Sequence, residues 1–512
     1  MFSENNILQP GSLAFILSVL LLYYGCLWYF PGLRLRAKGI RLPPGPKPRF
    51  FTGNLHQVPK IAPWLTFASW SKLYGPIIYF RVMNKETIVL NSGKVALDLL
   101  ESRSAIYSDR PVSWMEGELA GRKRSVFRTS LLDPRFKMFR RLLQNGLNAR
   151  ASESYRPIQT TETQTLLQGL ANSPEDFSAH IRRNAVAVIL KVAYGYQVES
   201  IDDPLVLQLE QGLKMTGTLS VPGKFLVEFI PLLRFVPSWI PGAGFKRYAL
   251  AIGKKRAQIE SVPFEWATKQ IATGNFIESF TSKHLLEEGK VLDQAAVDDL
   301  RWCAAALYAG GGDTTVSALK SFILLMALHP EIQKRAQDDI DSISPNRLPV
   351  LDDFKSLPFI RSIVKETLRW GPVSPMGLPH RVIEADIYKN YFIPKGATVL
   401  ANIWAITHDV EIYPDPETFD PSRHMGSAPQ PDPFKFVFGY GRRICPGAHL
   451  AEMSLFLNMA SILAVFNISK PVDSNGLEKE PEIAWTSGTT RHLKAFECQI
   501  KPRSKEHLSL LG

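Results

Sequence analysis

The chain has 512 residues, 45% of them hydrophobic, and a net charge of +12 at pH 7. That composition supplies a large core, and the charge suits nucleic acid, an anionic membrane or an acidic protein partner. Four scattered cysteines (Cys26, Cys303, Cys445, Cys498) form no C-x-x-C pair, and no zinc-finger, RNA-recognition or basic-zipper pattern is present, so zinc, a disulfide framework and nucleic acid are not expected.

Residues 11–30 are uncharged, long enough to span a bilayer as one helix. Tyr23, Tyr24, Trp28 and Tyr29 suit an interfacial belt, and Arg34, Arg36, Lys38 and Arg41 follow the run. The positive-inside rule then places residues 1–10 in the lumen and the bulk of the protein in the cytosol. A cleaved signal peptide is the competing reading, but no basic leader precedes the apolar run. Residues 31–50 form a basic, Pro-rich linker in which Leu42-Pro-Pro-Gly-Pro-Lys-Pro48 is stiff and extended. No low-complexity break divides the chain after about residue 60, so 51–512 is expected to be one catalytic domain.

Ile77–Met83 and Glu86–Leu90 read as a β-hairpin rich in branched and aromatic residues. Tyr107-Ser-Asp-Arg-Pro111 closes a helix, and Arg135–Arg141 is a basic helical stretch that includes Phe136, Lys137 and Arg140. From Leu219 to Phe245 the chain is apolar and broken by Pro222, Pro231, Pro237 and Pro241, which excludes one long helix. The segment is either a buried crossover or an exposed interaction surface.

Leu292 to His329 reads as one long helix stopped by Pro330, with Ala309-Gly-Gly-Gly-Asp-Thr-Thr315 at its middle. Each glycine there costs about 1 kcal/mol relative to alanine, so something must offset it: a ligand approach, or a loosened hydrogen-bond ladder. Glu366 and Arg369 share a helix face at i, i+3. Arg423 follows in Phe419-Asp-Pro-Ser-Arg-His424, and Pro372–Arg381 ends in His380 and Arg381. In Phe438-Gly-Tyr-Gly-Arg-Arg-Ile-Cys-Pro-Gly447, two glycines permit a tight fold before Cys445 and Pro446 suits a first helical turn. Cys445 at a helix N-terminus would be favoured as a thiolate, a ligand for soft metals or haem iron, although a structural cysteine in a loop is also compatible with these local features.

The spacing Phe438, Gly441, Arg443, Cys445, Gly447 resembles the haem-binding loop of the cytochrome P450 family. The resemblance implies a mainly α haem-thiolate fold with a small β domain, plus one N-terminal transmembrane helix. It implies haem b with Cys445 as axial thiolate and metal ligand, and Phe438, Gly441 and Arg443 as cofactor-binding residues. Lys137, Arg140 and His380 or Arg381 become candidate propionate partners. Phe136 departs from the family's usual Trp and has no donor for that purpose. Asp313 and Thr314 match the acid–alcohol pair that delivers protons to bound O2. Glu366, Arg369 and Arg423 match a buried structural charge cluster.

The implied activity is that of an iron-dependent membrane monooxygenase in the endoplasmic reticulum, single-pass, with its catalytic domain facing the cytosol. Electrons would come from NADPH through a separate cytochrome P450 reductase, with cytochrome b5 as a further candidate donor, since the chain has no dinucleotide fingerprint. The phrase Phe235-Val-Pro-Ser-Trp-Ile-Pro-Gly242 resembles fungal secondary-metabolite members, of the O-methylsterigmatocystin oxidoreductase and mushroom tryptamine 4-monooxygenase types. The expected substrate is a small lipophilic metabolite, with a terpenoid favoured and an aromatic or indole/polyketide scaffold as the alternative. A reductase-independent isomerase or peroxygenase is the rival activity.

Overall fold

The computed structural model describes residues 18–19, 41–219, 223–287, 292–473 and 475–511. Apart from Ser18 and Val19, the expected anchor at 11–30 lies outside the described residues, as do residues 1–10 and the linker up to residue 40. The predicted hairpin is present as Ile77–Val82 (β1) against Lys85–Leu90 (β2). Both faces of the hairpin are covered, so Ile78 and the consecutive Ile88, Val89 and Leu90 are completely buried. Three further strands follow, His380–Arg381 (β3), Asp386–Tyr388 (β4) and Tyr391–Ile393 (β5), before Thr398–Ala401 (β6). The main sheet has the order β1-β2-β6-β3, with β6 parallel to β2 and antiparallel to β3. β4 and β5 form their own hairpin, whose turn residues Lys389 and Asn390 both have positive φ, the backbone of a tight two-residue turn. Phe466–Ser469 (β7) and Gln499–Pro502 (β8) pair separately.

The rest is mostly helical. The elements that frame the site are Pro63–Tyr74 (α1), Arg135–Leu147 (α2), Arg156–Asn172 (α3), Phe177–Tyr194 (α4), Pro204–Leu219 (α5), Gly244–Ala272 (α6), Gln294–Leu328 (α7), Pro330–Ile343 (α8), Pro358–Trp370 (α9) and Ala448–Val465 (α10). The expected long helix is α7, 35 residues or about 52 Å. Asp293 caps it by accepting from Ala296 N–H. Pro330 starts α8 after a bend of 106°, because proline fits a first turn but not a helix interior.

The core lies where α3, α4, α7, α8, α9 and α10 meet, around Leu319, Phe322, Ile323, Ile360, Phe456 and Ile462. α10 is apolar enough to cross a membrane by composition, yet most of it is buried in this core, where a helix apolar all round belongs. No other single helix among the described residues passes the same test.

Leu42–Pro48, read as a stiff connector, lies along the edge of β1. Tyr79 N–H donates to Pro44 O at 2.9 Å, and Asn54 Nδ2 donates to Pro46 O at 2.9 Å. A Cβ on Gly45 would sit 1.9 Å from Tyr79 O, so this close approach requires glycine. The Pro-rich stretch after α5 forms two short 3-10 turns, Leu226–Glu228 and Pro231–Phe235. It is the exposed alternative: Leu232, Phe235 and Trp239 are 74%, 66% and 79% exposed.

Candidate active site

The Cys445 loop is built by backbone geometry. Gly439 and Gly441 have φ of 78° and 50°, values disfavoured for L side chains. A Cβ on Gly441 would also meet Leu100 O and Ser104 Cβ at 2.6 Å. The turn lets Cys445 N–H donate to Phe438 O at 2.8 Å. Phe438 packs edge-on against Phe434 at 5.0 Å. Pro446 does not start the helix as expected: Gly447 is the N-cap and α10 begins at Ala448. The cysteine thus precedes the helix by a short turn, and Gly447 N–H points at the sulfur.

Cys445 is an exposed residue, yet the protein around its thiol is dense enough to desolvate it. Burial pushes the thiol above its ordinary value, against the pull of Gly447 N–H and the charge of Arg140. Arg140 Nη1 donates to Ile444 O at 2.8 Å, so it ties α2 to the residue before the cysteine. Phe136 is on the same face at i−4 and is buried. The Arg443 guanidinium lies over its ring at 4.3 Å. The aromatic at this position therefore serves as a platform for the loop arginine. Lys137 is turned the other way and is exposed, so α2 does not bring it into this cluster.

Arg443 Nε donates to Ser108 O at 2.8 Å and its Nη2 to Thr129 O at 2.6 Å. Beside it stand Arg110 and His380. Arg110 Nη1 donates to Leu378 O and Pro379 O at 2.9 and 2.7 Å, while its Nε is buried and unpartnered. His380 Nδ1–H donates to Tyr107 O at 2.8 Å, and burial together with Arg110 holds its pKa down to about 3. Burial lowers Arg110 and Arg443 too, helped by the charge of Arg443 on Arg110 and of Arg140 on Arg443. Such a buried like-charge group is relieved by an anion. Of the two sequence candidates, Arg381 is already taken: its Nε lies 2.7 Å from the Asp109 carboxylate and its Nη2 bonds the same oxygen. Arg110 went unnoticed in the sequence, where it is one arginine before a proline.

The central helix shows a half-exposed stripe at Ala306, Gly310 and Thr314, while Leu307, Tyr308 and Gly312 are buried. The three glycines differ in role. A Cβ on Gly311 would approach Ile189 of α4 at 2.9 Å, whereas Gly310 faces only Phe127, at 3.8 Å. Close helix packing is thus the reason for Gly311, and an open face the reason for Gly310. Thr314 Oγ1 donates to Gly310 O at 2.7 Å, the back-bond that bends helices. The Asp313 carboxylate is paired with His492 Nε2 at 3.1 Å, a partner the sequence did not suggest.

Glu366 holds the expected charge cluster. Arg369 Nε and Nη2 each donate to its carboxylate at 2.8 Å, and Arg423 Nε at 2.9 Å. His424 joins them at 2.8 Å, unforeseen although adjacent to Arg423. Glu366 and Arg369 are 0% exposed. Burial pushes Glu366 up, but the hydrogen bonds from His424 and Arg369 and the charges of Arg369 and Arg423 outweigh it, and the net shift is down. Arg369 also donates to Thr407 O, Pro416 O and Thr418 O, which braces the irregular segment leading to the cysteine loop.

The donor set fits a haem. It offers one soft sulfur for iron, a buried cationic group for carboxylates, and an uncovered stripe of small residues on the central helix. The family model for cytochrome P450 matches residues 43–493. The cytochrome P450 monooxygenase claR of Ampulloclitocybe clavipes is 41% identical over 480 residues, covering 92% of this chain and 89% of its own. The tryptamine 4-monooxygenase of Psilocybe cyanescens is 37% identical, covering 96% and 99%, and the cytochrome P450 monooxygenase ppsD of Aspergillus oryzae is 37% identical, covering 91% and 89%. With the cysteine loop, the cationic cradle and the glycine-bearing central helix in place, these matches establish that the chain belongs to the cytochrome P450 family and is one of its monooxygenases.

Proposed function

We propose that the protein is a membrane-bound haem-thiolate monooxygenase that inserts one oxygen atom from O2 into a lipophilic secondary metabolite, with NADPH electrons delivered by a separate reductase. The observation that carries this reading is the Cys445 loop, with its exposed cysteine, Gly447 N–H and Arg140. Haem, when bound, supplies O2 activation and the oxidising equivalents. Cys445 provides the axial sulfur. Arg110, Arg443 and His380 hold the carboxylates, which would restore charge balance in their buried site. Thr314 and Asp313 handle protons on the open stripe of α7: releasing the Gly310 bond frees the Thr314 hydroxyl to donate, and Asp313 resupplies it.

Apolar Val112, Phe127 and Leu378 are exposed on segments near this stripe and the Arg110 cluster, which favours a neutral, lipophilic substrate such as a terpenoid. The indole reading draws on the tryptamine 4-monooxygenase relative, with Phe127 as the stacking partner. Membrane attachment is supported by exposed apolar side chains on two neighbouring segments. A Cβ on Gly223 would touch Leu55 at 3.6 Å, and Lys85 pairs with Glu228 at 2.9 Å. These contacts bring the segment that carries exposed Phe50, Phe51 and Leu55 beside the one that carries exposed Leu226, Leu232, Phe235 and Trp239.

The deciding experiment compares turnover of terpenoid and indole panels with NADPH plus reductase against turnover with peroxide alone. Product only in the first arm supports the proposal. Equal product with peroxide alone identifies a peroxygenase, and rearranged product without either identifies an isomerase.

A further inference from the structure

The C-terminal turn is pinned to the central helix just beyond the glycine run. Ser317 Oγ donates to Arg491 O at 2.6 Å, and Lys320 Nζ to Leu493 O at 3.4 Å. The turn is closed by pairing of Trp485 with Leu493. His492 N–H donates to Thr486 Oγ1 at 2.9 Å, and Thr486 N–H to His492 O at 2.8 Å. Arg491 stacks on Trp485 at 3.8 Å and donates its N–H to Val373 O at 2.9 Å.

Between these fixings His492 reaches back to Asp313, Nε2 to Oδ1 3.1 Å, an ion-pair contact between imidazole and carboxylate. The Asp313 side chain is 42% exposed and that of His492 24%, so water reaches the pair. The next residue, Thr314, turns its hydroxyl to Gly310 O. Among charged and titratable groups on the packed elements, Tyr308 of α7 feels the charge of Asp313 and also of Arg182 of α4, Glu210 of α5 and Arg256 of α6, and Lys320 of α7 that of Arg182; Arg182 and Glu210 lie 3.3 Å apart. Arg182 is paired with Glu210, and His492 is the imidazole in contact with Asp313.

We propose that His492 is a positioning residue for proton supply: it holds the Asp313 carboxylate beside Thr314 and passes it protons taken from solvent. The step balances without redox change. A solvent hydronium gives its proton to Nδ1 and becomes water, Nε2–H passes its proton to Asp313 Oδ1, and the imidazole exchanges tautomer. The proposal rests on the reading of Asp313 and Thr314 as the proton-handling pair.

The test uses the full-length holoenzyme with reductase, and accepts only variants that keep the parent's thiolate carbon monoxide spectrum. His492→Gln preserves a donor near the Nε2 position but cannot relay protons. It should lower product per NADPH by about tenfold and abolish the parent's pH dependence of that ratio. His492→Ala should behave the same way. A second readout is independent of turnover: diethyl pyrocarbonate labelling of His492, followed by peptide mass spectrometry, should be faster in Asp313→Ala than in the parent. His492→Gln with the parent's ratio at every pH overturns the hand-over, and labelling that does not respond to Asp313→Ala overturns the pairing. Thr314→Ala is the control for the underlying reading. If that variant stays fully coupled, the acid–alcohol assignment fails, whatever His492 does.

Discussion

Cys445 on its own is an unpromising thiolate, because burial pushes its thiol up. What offsets this in the protein is local: Gly447 N–H, Arg140 and, in the holoenzyme, the metal itself. Cys445→Ser should abolish the thiolate-specific band of the reduced carbon monoxide complex. Retention of that band in the variant would move the axial role elsewhere. Cys445, Arg443 and Gly441 were legible in the sequence because they lie in one ten-residue loop whose spacing is itself the signal. Arg110, His424 and His492 were not. Each makes its contact with a segment distant in sequence, and nothing in the local sequence distinguishes Arg110, whose guanidinium meets Leu378 O, from a solvated arginine.

Elements translate those residues into fixed geometry. The sequence showed a long helix that tolerates three glycines but not the reason for each, since that depends on which neighbour lies against which turn. Gly311→Ala should force a methyl against Ile189, where Cδ1 and Cγ1 both lie 2.9 Å from the new atom. The expected cost is about 1–3 kcal/mol of stability. Ile189→Ala alone should cost about 2–5 kcal/mol through a cavity. The double variant should cost less than the sum, since the smaller side chain admits the new methyl. Thermal unfolding of all four proteins reads the coupling, and strict additivity would place the strain elsewhere.

The Glu366 cluster makes a second element-scale prediction. Glu366→Gln leaves Arg369 and Arg423 buried without their carboxylate, a loss of about 3–5 kcal/mol. Because the folded-state pKa of Glu366 lies below its ordinary 4.5, its contribution is full above that value and is lost as pH falls through the folded value. The gap between parent and variant should therefore narrow below about pH 4.5 in acid unfolding curves. A constant gap down to lower pH would show that the carboxylate is not the origin of the stability.

At the scale of the whole molecule, exposed apolar side chains near residues 50–61 and 226–239 and a basic surface beside the cysteine loop fall on different elements. Lys137 and Arg141 are one turn apart and exposed on α2, and Arg442 is exposed in the loop. Arg140, next to Arg141, ties α2 to the cysteine loop through Ile444 O, so the exposed cations of α2 and of the loop lie on two joined segments. An acidic electron donor approaching here would be steered by charge, and the steering weakens as salt shortens the Debye length. Arg141→Glu should lower the first-electron reduction rate by on the order of tenfold at low ionic strength. Substrate-induced spectral shifts should be unchanged, because Arg141 takes no part in the Arg110, Arg443 and His380 cluster or the α7 stripe. Stopped-flow reduction under carbon monoxide at two salt concentrations measures the effect. The deficit should shrink at high salt, where parent and variant both lose long-range attraction. Equal rates at low salt would remove Arg141 from the docking surface, and a shifted substrate affinity would trace the defect to altered folding of α2 rather than to lost charge.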